Sequence, residues 1–229
     1  MNKRRSILLT IILILVVTFI IIYLNWGEYE HKLEKTEIIE VEDSTDAQGY
    51  IQPSLDDLEG LYKVDAETGK AEILFQLDGL KNTRGGFEKF IVNFTVPDDF
   101  TQSKLEVIVD VSSIKTGNSM RDEHVMDSDF FNEAEFPEIH YLAEAINFSE
   151  GHYEARGVLE LLGEANELDF IFDHKGGQDL ADSKRIEVFE GEFVFDRTAY
   201  GMEESTGVGN DVSISFYVEL EKDQSPEIE

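Results

Sequence analysis

Cysteine is absent from this chain of 229 residues. Its absence excludes cysteine-held zinc, thiol catalysis and acylation on cysteine. Basic residues are scarce: 19 Lys and Arg stand against 49 Asp and Glu, a formal net charge of −30. Charge this negative repels phosphates, which argues against nucleic-acid partners and against a folded domain lying flat on anionic lipid. No G-x-S-x-G or Walker A sequence is present. The five histidines, His31, His124, His140, His152 and His174, lack the close spacing of metal ligands. What is abundant is apolar: 41% hydrophobic residues, 16 of them Phe, too many for a disordered acidic chain.

The apolar residues fall into two patterns. The first is a continuous run, residues 7–24, interrupted only by Thr10 and Thr18 and preceded by Lys3, Arg4 and Arg5. Eighteen helical residues span about 27 Å, close to the bilayer core of about 30 Å. The run is apolar all round, and Tyr23, Trp26 and Tyr29 sit where an interfacial belt would be. With positive charge on the N-terminal side, residues 1–25 read as a signal-anchor with the remainder outside the cytoplasm. A cleaved signal peptide is the rival; the run is long for one, and Leu24-Asn25-Trp26-Gly27 is a poor cleavage site. Residues 26–60 follow as an acidic linker, with 11 carboxylates against Lys32 and Lys35. It reads as an extended, self-repelling tether, with a short helix near 28–42 as an option. Residues 222–229 read as a flexible acidic tail.

The second pattern has period two. Ile73, Phe75 and Leu77 alternate with polar residues. So do Phe90, Val92, Phe94 and Val96, then Leu105, Val107, Val109 and Val111. Tyr153 to Leu161, Leu168 to Phe172, Phe193 to Phe195 and Val212 to Leu220 repeat it, with a looser run at Ile186 to Phe189. Turn formers separate these runs. This predicts half-buried antiparallel strands, seven to nine of them, in a sandwich or closed barrel. Charged outer faces favour a soluble barrel over a membrane one. Residues 112–136 break the alternation; a short helix capped by Ser128 and ended before Pro137 is expected there.

No catalytic constellation emerges, and the chain is read as a non-enzyme without metal or cofactor. Carboxylates are too numerous for any spaced pair to signal a glycosidase. Asp127-Ser128-Asp129 resembles the start of a calcium loop but lacks the glycine at position six. Arg121-Asp122 and Arg197 are the charged groups set within the apolar pattern. They are read as structural, holding the long loop, or alternatively as a polar clamp at a pocket mouth.

Residues 109–141 are more specific. Ser113-Ile114-Lys115-Thr116-Gly117-Asn118 leads into Arg121-Asp122-Glu123-His124, then Phe130-Phe131-Asn132 and Phe136-Pro137-Glu138-Ile139. Tyr62-Lys63-Val64-Asp65 precedes them; Gly157-Val158-Leu159, Phe195-Asp196-Arg197, Tyr200-Gly201-Met202 and Val208-Gly209-Asn210-Asp211-Val212 follow. Together these resemble the YceI family over residues 61–221. The resemblance implies a lipocalin-like antiparallel barrel of about eight strands with a short helical insertion, here preceded by a transmembrane helix. It implies that Ser113, Thr116, Arg121, Asp122, Phe130, Phe131, Pro137, Arg197 and Gly201 are family positions with structural roles. It also implies an apolar interior that holds an isoprenoid, quinone or fatty-acyl lipid, with Phe75, Leu77, Phe94, Val109, Tyr141, Phe170 and Phe216 as candidate lining residues.

The resulting expectation is a lipid carrier held in a bacterial inner membrane through residues 7–24, its barrel in the periplasm. The alternative is an envelope interaction or scaffold module using its acidic surface. A homodimer is compatible with either.

Overall fold

A computed structural model describes residues 29–30, 33–38, 58–79, 82–180, 184–204 and 207–223. The apolar run 7–24, most of the acidic linker and residues 224–229 lie outside the described residues. Among the described residues no helix is long and apolar enough to cross a membrane.

Eleven strand segments occur: β1 (Gly60–Asp65), β2 (Ala71–Gly79), β3 (Thr83–Phe87), β4 (Phe90–Val96), β5 (Lys104–Asp110), β6 (Ile114–Lys115), β7 (Glu138–Ser149), β8 (His152–Leu161), β9 (Glu164–Asp179), β10 (Arg185–Asp196) and β11 (Val208–Lys222). They resolve into eight long strands, because the first six segments form three bent pairs. β1 and β2 both run antiparallel to β11, at Tyr62↔Lys222 and Ala71↔Val218. β4 pairs with β1 and β3 with β2; β5 then pairs with β4 and β6 with β3. From β5 the order β7, β8, β9, β10, β11 completes an up-and-down antiparallel ring. A closed ring leaves no sheet edge along its circumference.

The bends have visible causes. At the β3–β4 corner, Ser113 Oγ accepts from Lys89 N at 3.0 Å and donates to Asp110 O at 2.7 Å. One buried hydroxyl thus ties the kink at residues 88–89 to the kink at 111–113. Alternation places the aromatic and branched residues inside. Gly157 is required by this packing: a β-carbon there would lie 2.7 Å from the Tyr141 ring.

The helix is not where the sequence suggested. Helix α1 is Ser119–Val125, capped by Asn118, whose side chain accepts from Arg121 N at 3.1 Å. Residues 126–135 form turns instead of a helix capped by Ser128. Asn118 satisfies the orphan donors of an earlier turn, so the helix begins ten residues sooner than expected.

The linker also differs from expectation. Residues 33–38 form no helix or strand and cross the outside of the barrel. Thr36 N and Oγ1 each donate to the Glu219 carboxylate at 2.9 Å. Lys35 pairs with Glu72 at 3.0 Å and lies over the Tyr217 ring. Leu33 and Ile38 cover Ile186, Val188 and Tyr217. Upstream, Tyr29 lies against Gly86 of β3. Lys35 of this acidic segment meets a carboxylate on the sheet, and Leu33 and Ile38 meet an apolar outer patch. The periodicity at 186–189 is therefore loose because both faces of β10 are covered there.

Candidate functional site

The connections β2–β3, β6–α1–β7, β8–β9 and β10–β11 lie together at the α1 end of the barrel. Beneath them is an interior cavity of about 570 Å³. That volume falls within the usual range for small-molecule sites. Phe75, Leu77, Phe94, Val109, Tyr141, Phe170 and Phe216 all line it. So do residues that the lipid reading left out, among them Val92, Leu105, Leu159, Phe193, Phe195 and Ile214. The alternating pattern already placed those six on the apolar faces; only the closed ring shows that the faces meet around a void.

The wall is dominated by rings. Phe170 stacks on Phe193 with centroids 4.7 Å apart and meets Tyr141 at 5.2 Å and Phe216 at 5.7 Å. Tyr141 donates to Leu168 O at 3.1 Å, and its burial pushes the phenol pKa well above the ordinary value. It contributes an aromatic face and a spent hydroxyl, not a general acid or base.

Toward the other end the interior is filled. Phe94 meets Phe100 at 6.4 Å and Phe189 at 5.6 Å; Phe100 meets Tyr153 at 5.3 Å. Below these rings His174 Nε2 lies 2.7 Å from Glu187 Oε2, and Arg185 Nε donates to Glu187 Oε1 at 2.6 Å. Glu187 is fully buried, its carboxylate lying over Gly177, where no β-carbon would fit. Burial and the Glu187 charge push the Tyr153 phenol up to about 12. The sequence did not single out this pair, because a lone His and a lone Glu on separate strands carry no spacing signal.

Polar groups of the cavity wall gather at the α1 end: Thr116, Arg121, His124 and Arg197. Thr116 is the hub. Its N donates to Asp122 Oδ1 at 2.8 Å, and its hydroxyl also donates to that carboxylate. Arg121 Nε donates to the same hydroxyl at 2.8 Å, and Arg121 Nη2 donates to Thr116 O. Burial lowers the Arg121 pKa, and Asp122 opposes that shift. Arg121 and Asp122 thus meet through Thr116. Arg197 Nε donates to Gly209 O at 2.9 Å and Nη1 to Glu203 O at 2.8 Å, tying the β10–β11 connection together. Gly201 takes the left-handed conformation, φ 83°, that ends the 3-10 turn Arg197–Tyr200. Phe131 packs edge-on against Phe87 at 6.1 Å and Phe130 against His124 at 5.1 Å. Pro137 O accepts from Val111 N at 2.9 Å, joining the long connection to the 111–113 turn.

Other polar clusters occur among the described residues. His124, Asp127 and Asp129 come within 4.8 Å of one another, and all three are exposed. His140 and His152 do occupy adjacent strands, but each faces its own carboxylate, Glu106 and Asp173. The Glu106 pKa is lowered, mainly by its hydrogen bond from Asn93 and then by His140.

Comparison with known proteins agrees with this architecture. A curated relative, a UPF0312 protein of Yersinia pestis (strain Pestoides F), is 30% identical over 105 residues, 44% of this chain and 55% of its own length. A UPF0312 protein of Photorhabdus laumondii is 28% identical over the same coverage. The match thus spans about half the length of these relatives. Among solved structures, BcnA of Burkholderia cenocepacia superposes with a TM-score of 0.58 at 21% identity, over 67% of this chain and 96% of its own. A YceI protein of Campylobacter jejuni gives 0.57 at 19%, over 63% and 87%. A polyisoprenoid-binding domain of Saccharophagus degradans gives 0.55 at 12%, over 72% and 99%. Those likenesses establish the shared fold. The family pattern of the YceI-like domain matches residues 62–220, nearly the whole closed ring, and the chain belongs to that family.

Proposed function

We propose that this protein is a non-enzymatic carrier that holds one long-chain amphiphilic lipid, a polyisoprenoid, quinone or acyl chain, inside its barrel. The observation that carries the reading is the cavity of about 570 Å³ walled by phenylalanine and aliphatic side chains within a closed ring. An apolar chain entering it leaves water at a gain of about 0.8 kcal/mol per buried CH₂. The Saccharophagus degradans domain, of the same fold, is a polyisoprenoid-binding domain. The hydroxyl of Thr116 is committed to Asp122 and Arg121, which favours binding over chemistry.

The carrier is anchored in a bacterial inner membrane through residues 7–24, with the barrel on the periplasmic side. Tyr29, held against β3, is five residues beyond Leu24. Five extended residues span at most about 18 Å. A span ending at Leu24 would therefore leave the barrel close to the bilayer that supplies the lipid. The barrel's negative charge would keep it from adhering there.

The test is to purify the full-length chain, extract it with organic solvent and identify the extract by mass spectrometry. One long-chain species at near-stoichiometric amount is expected. An empty extract, together with no uptake of added C12 to C20 lipids, would shift the function to an envelope interaction module acting through the acidic surface.

A further inference from the structure

Four buried side-chain atoms have no hydrogen-bond partner among the described residues: Ser103 Oγ, Tyr153 Oη, His174 Nδ1 and Arg197 Nη2. Only Arg197 belongs to the cavity wall. This residue is 2% exposed. Its two other guanidinium nitrogens donate to the carbonyls of Gly209 and Glu203, neither of which carries charge. The nearest carboxylate in sequence, Asp196, is exposed and accepts from Thr198 N at 2.8 Å and Thr198 Oγ1 at 2.6 Å; these hydrogen bonds and then the Arg197 charge lower its pKa, so it offsets that charge only through space. A buried charge is ordinarily paired, because water no longer solvates it. Here a buried cation has carbonyl partners, one unused N–H and an adjoining cavity. Arg121, in the same wall, adds a second guanidinium at the same end.

We propose that Arg197 receives the anionic oxygen head group, carboxylate or phosphate ester, of the ligand whose chain fills the cavity. The proposal rests on the carrier reading above and narrows the ligand class. A neutral head such as an alcohol would satisfy the N–H but leave the buried charge offset only by the exposed Asp196. An anion satisfies the N–H and pairs the charge directly, through a charge-assisted hydrogen bond about twice as strong as a neutral one. The rest of the wall is apolar, so a ligand without a chain would fill little of it.

The experiment measures equilibrium binding of labelled dodecanoate, dodecyl phosphate and dodecanol to the full-length chain in nanodiscs, with protein-free nanodiscs as blank. Both anions are expected to bind about tenfold or more tightly than dodecanol. Arg197→Gln should cut that advantage, taken as the ratio to dodecanol in the same variant, to about threefold or less. Should R197Q fail to fold, the comparison on the unaltered protein decides by itself. Equal affinities for all three overturn the head-group assignment and leave the carrier reading standing. Inorganic phosphate that competes as well as dodecyl phosphate overturns it too, by showing an anion site independent of a chain. Failure of all three to bind overturns the carrier reading, and the assignment with it.

Discussion

The two halves of the barrel interior are built from the same residue types and behave differently. Toward the far end, Phe94, Phe100, Tyr153, Phe172 and Phe189 close on one another, and the buried Glu187 is held by both His174 and Arg185. Toward the α1 end, Phe75, Phe170, Phe193 and Phe216 line open space, with Phe193 stacked on Phe170 and Phe216 edge-on to it. The difference lies in what crosses each end. Phe100, carried inward by the turn Phe100–Gln102 between β4 and β5, fills the far end. The α1 end is spanned by a seven-residue helix and turns whose side chains bond mainly to one another. One half supplies stability, and the other keeps the void.

Breaking that contrast should begin at the filled end. Phe94→Ala removes a ring packed between Phe100 and Phe189 and should cost about 3–5 kcal/mol, read as a drop in the urea midpoint. Glu187→Ala strips the carboxylate from His174 and Arg185 and should cost about 3 kcal/mol; loss of under about 1 kcal/mol would mean the pair is dispensable. By contrast Ile214→Ala, a half-buried residue in the cavity wall, should cost about 2 kcal/mol, at the low end for such truncations, because its side chain already lacks neighbours on one side. A cost equal to that of F94A would show that the two halves are packed alike.

High pH sharpens the comparison. The Tyr153 phenol stays protonated to about 12 in the fold but ionises near 10 in the unfolded chain. Its contribution is complete below pH 10 and is lost as pH rises from 10 to 12. Tyr153→Phe should therefore flatten part of the fall in the urea midpoint between pH 9 and 11.5. Tyr29, Tyr141, Tyr200 and Tyr217, all also shifted upward, add to the same fall. Smallest of all is Lys35→Ala on the outer strap. Its side chain is 48% exposed, so a change under about 0.5 kcal/mol is expected in thermal unfolding.

Much of the barrel was legible because half-buried strands announce themselves by period two. Phe90 to Val96 and Val212 to Leu220 read directly as one-sided strands, and their inner faces are buried or line the cavity. Ile186 to Val188 did not read cleanly, since residues far upstream cover the outer face. The three bent pairs were also illegible. Residues 88–89 look like a turn, and only Ser113 from another strand shows that they are a corner within one strand. The seven lining residues fit the alternating faces, whereas the Glu187–His174 pair had no local pattern to reveal it.

The sequence alone determined antiparallel strands with one charged and one apolar face, because alternation is local and every strand repeats it; the choice of a barrel over a sandwich came from the resemblance to the YceI family. It also set Arg121 and Arg197 in breaks of the alternation, but that both breaks lie at one end of the barrel was decided by the closed ring. Only the tertiary structure decided that the rings fill one half and line a void in the other, and that Arg197 is buried among carbonyls. Whether a phenylalanine meets another ring or a void depends on side chains tens of residues away, brought opposite it when the ring closes.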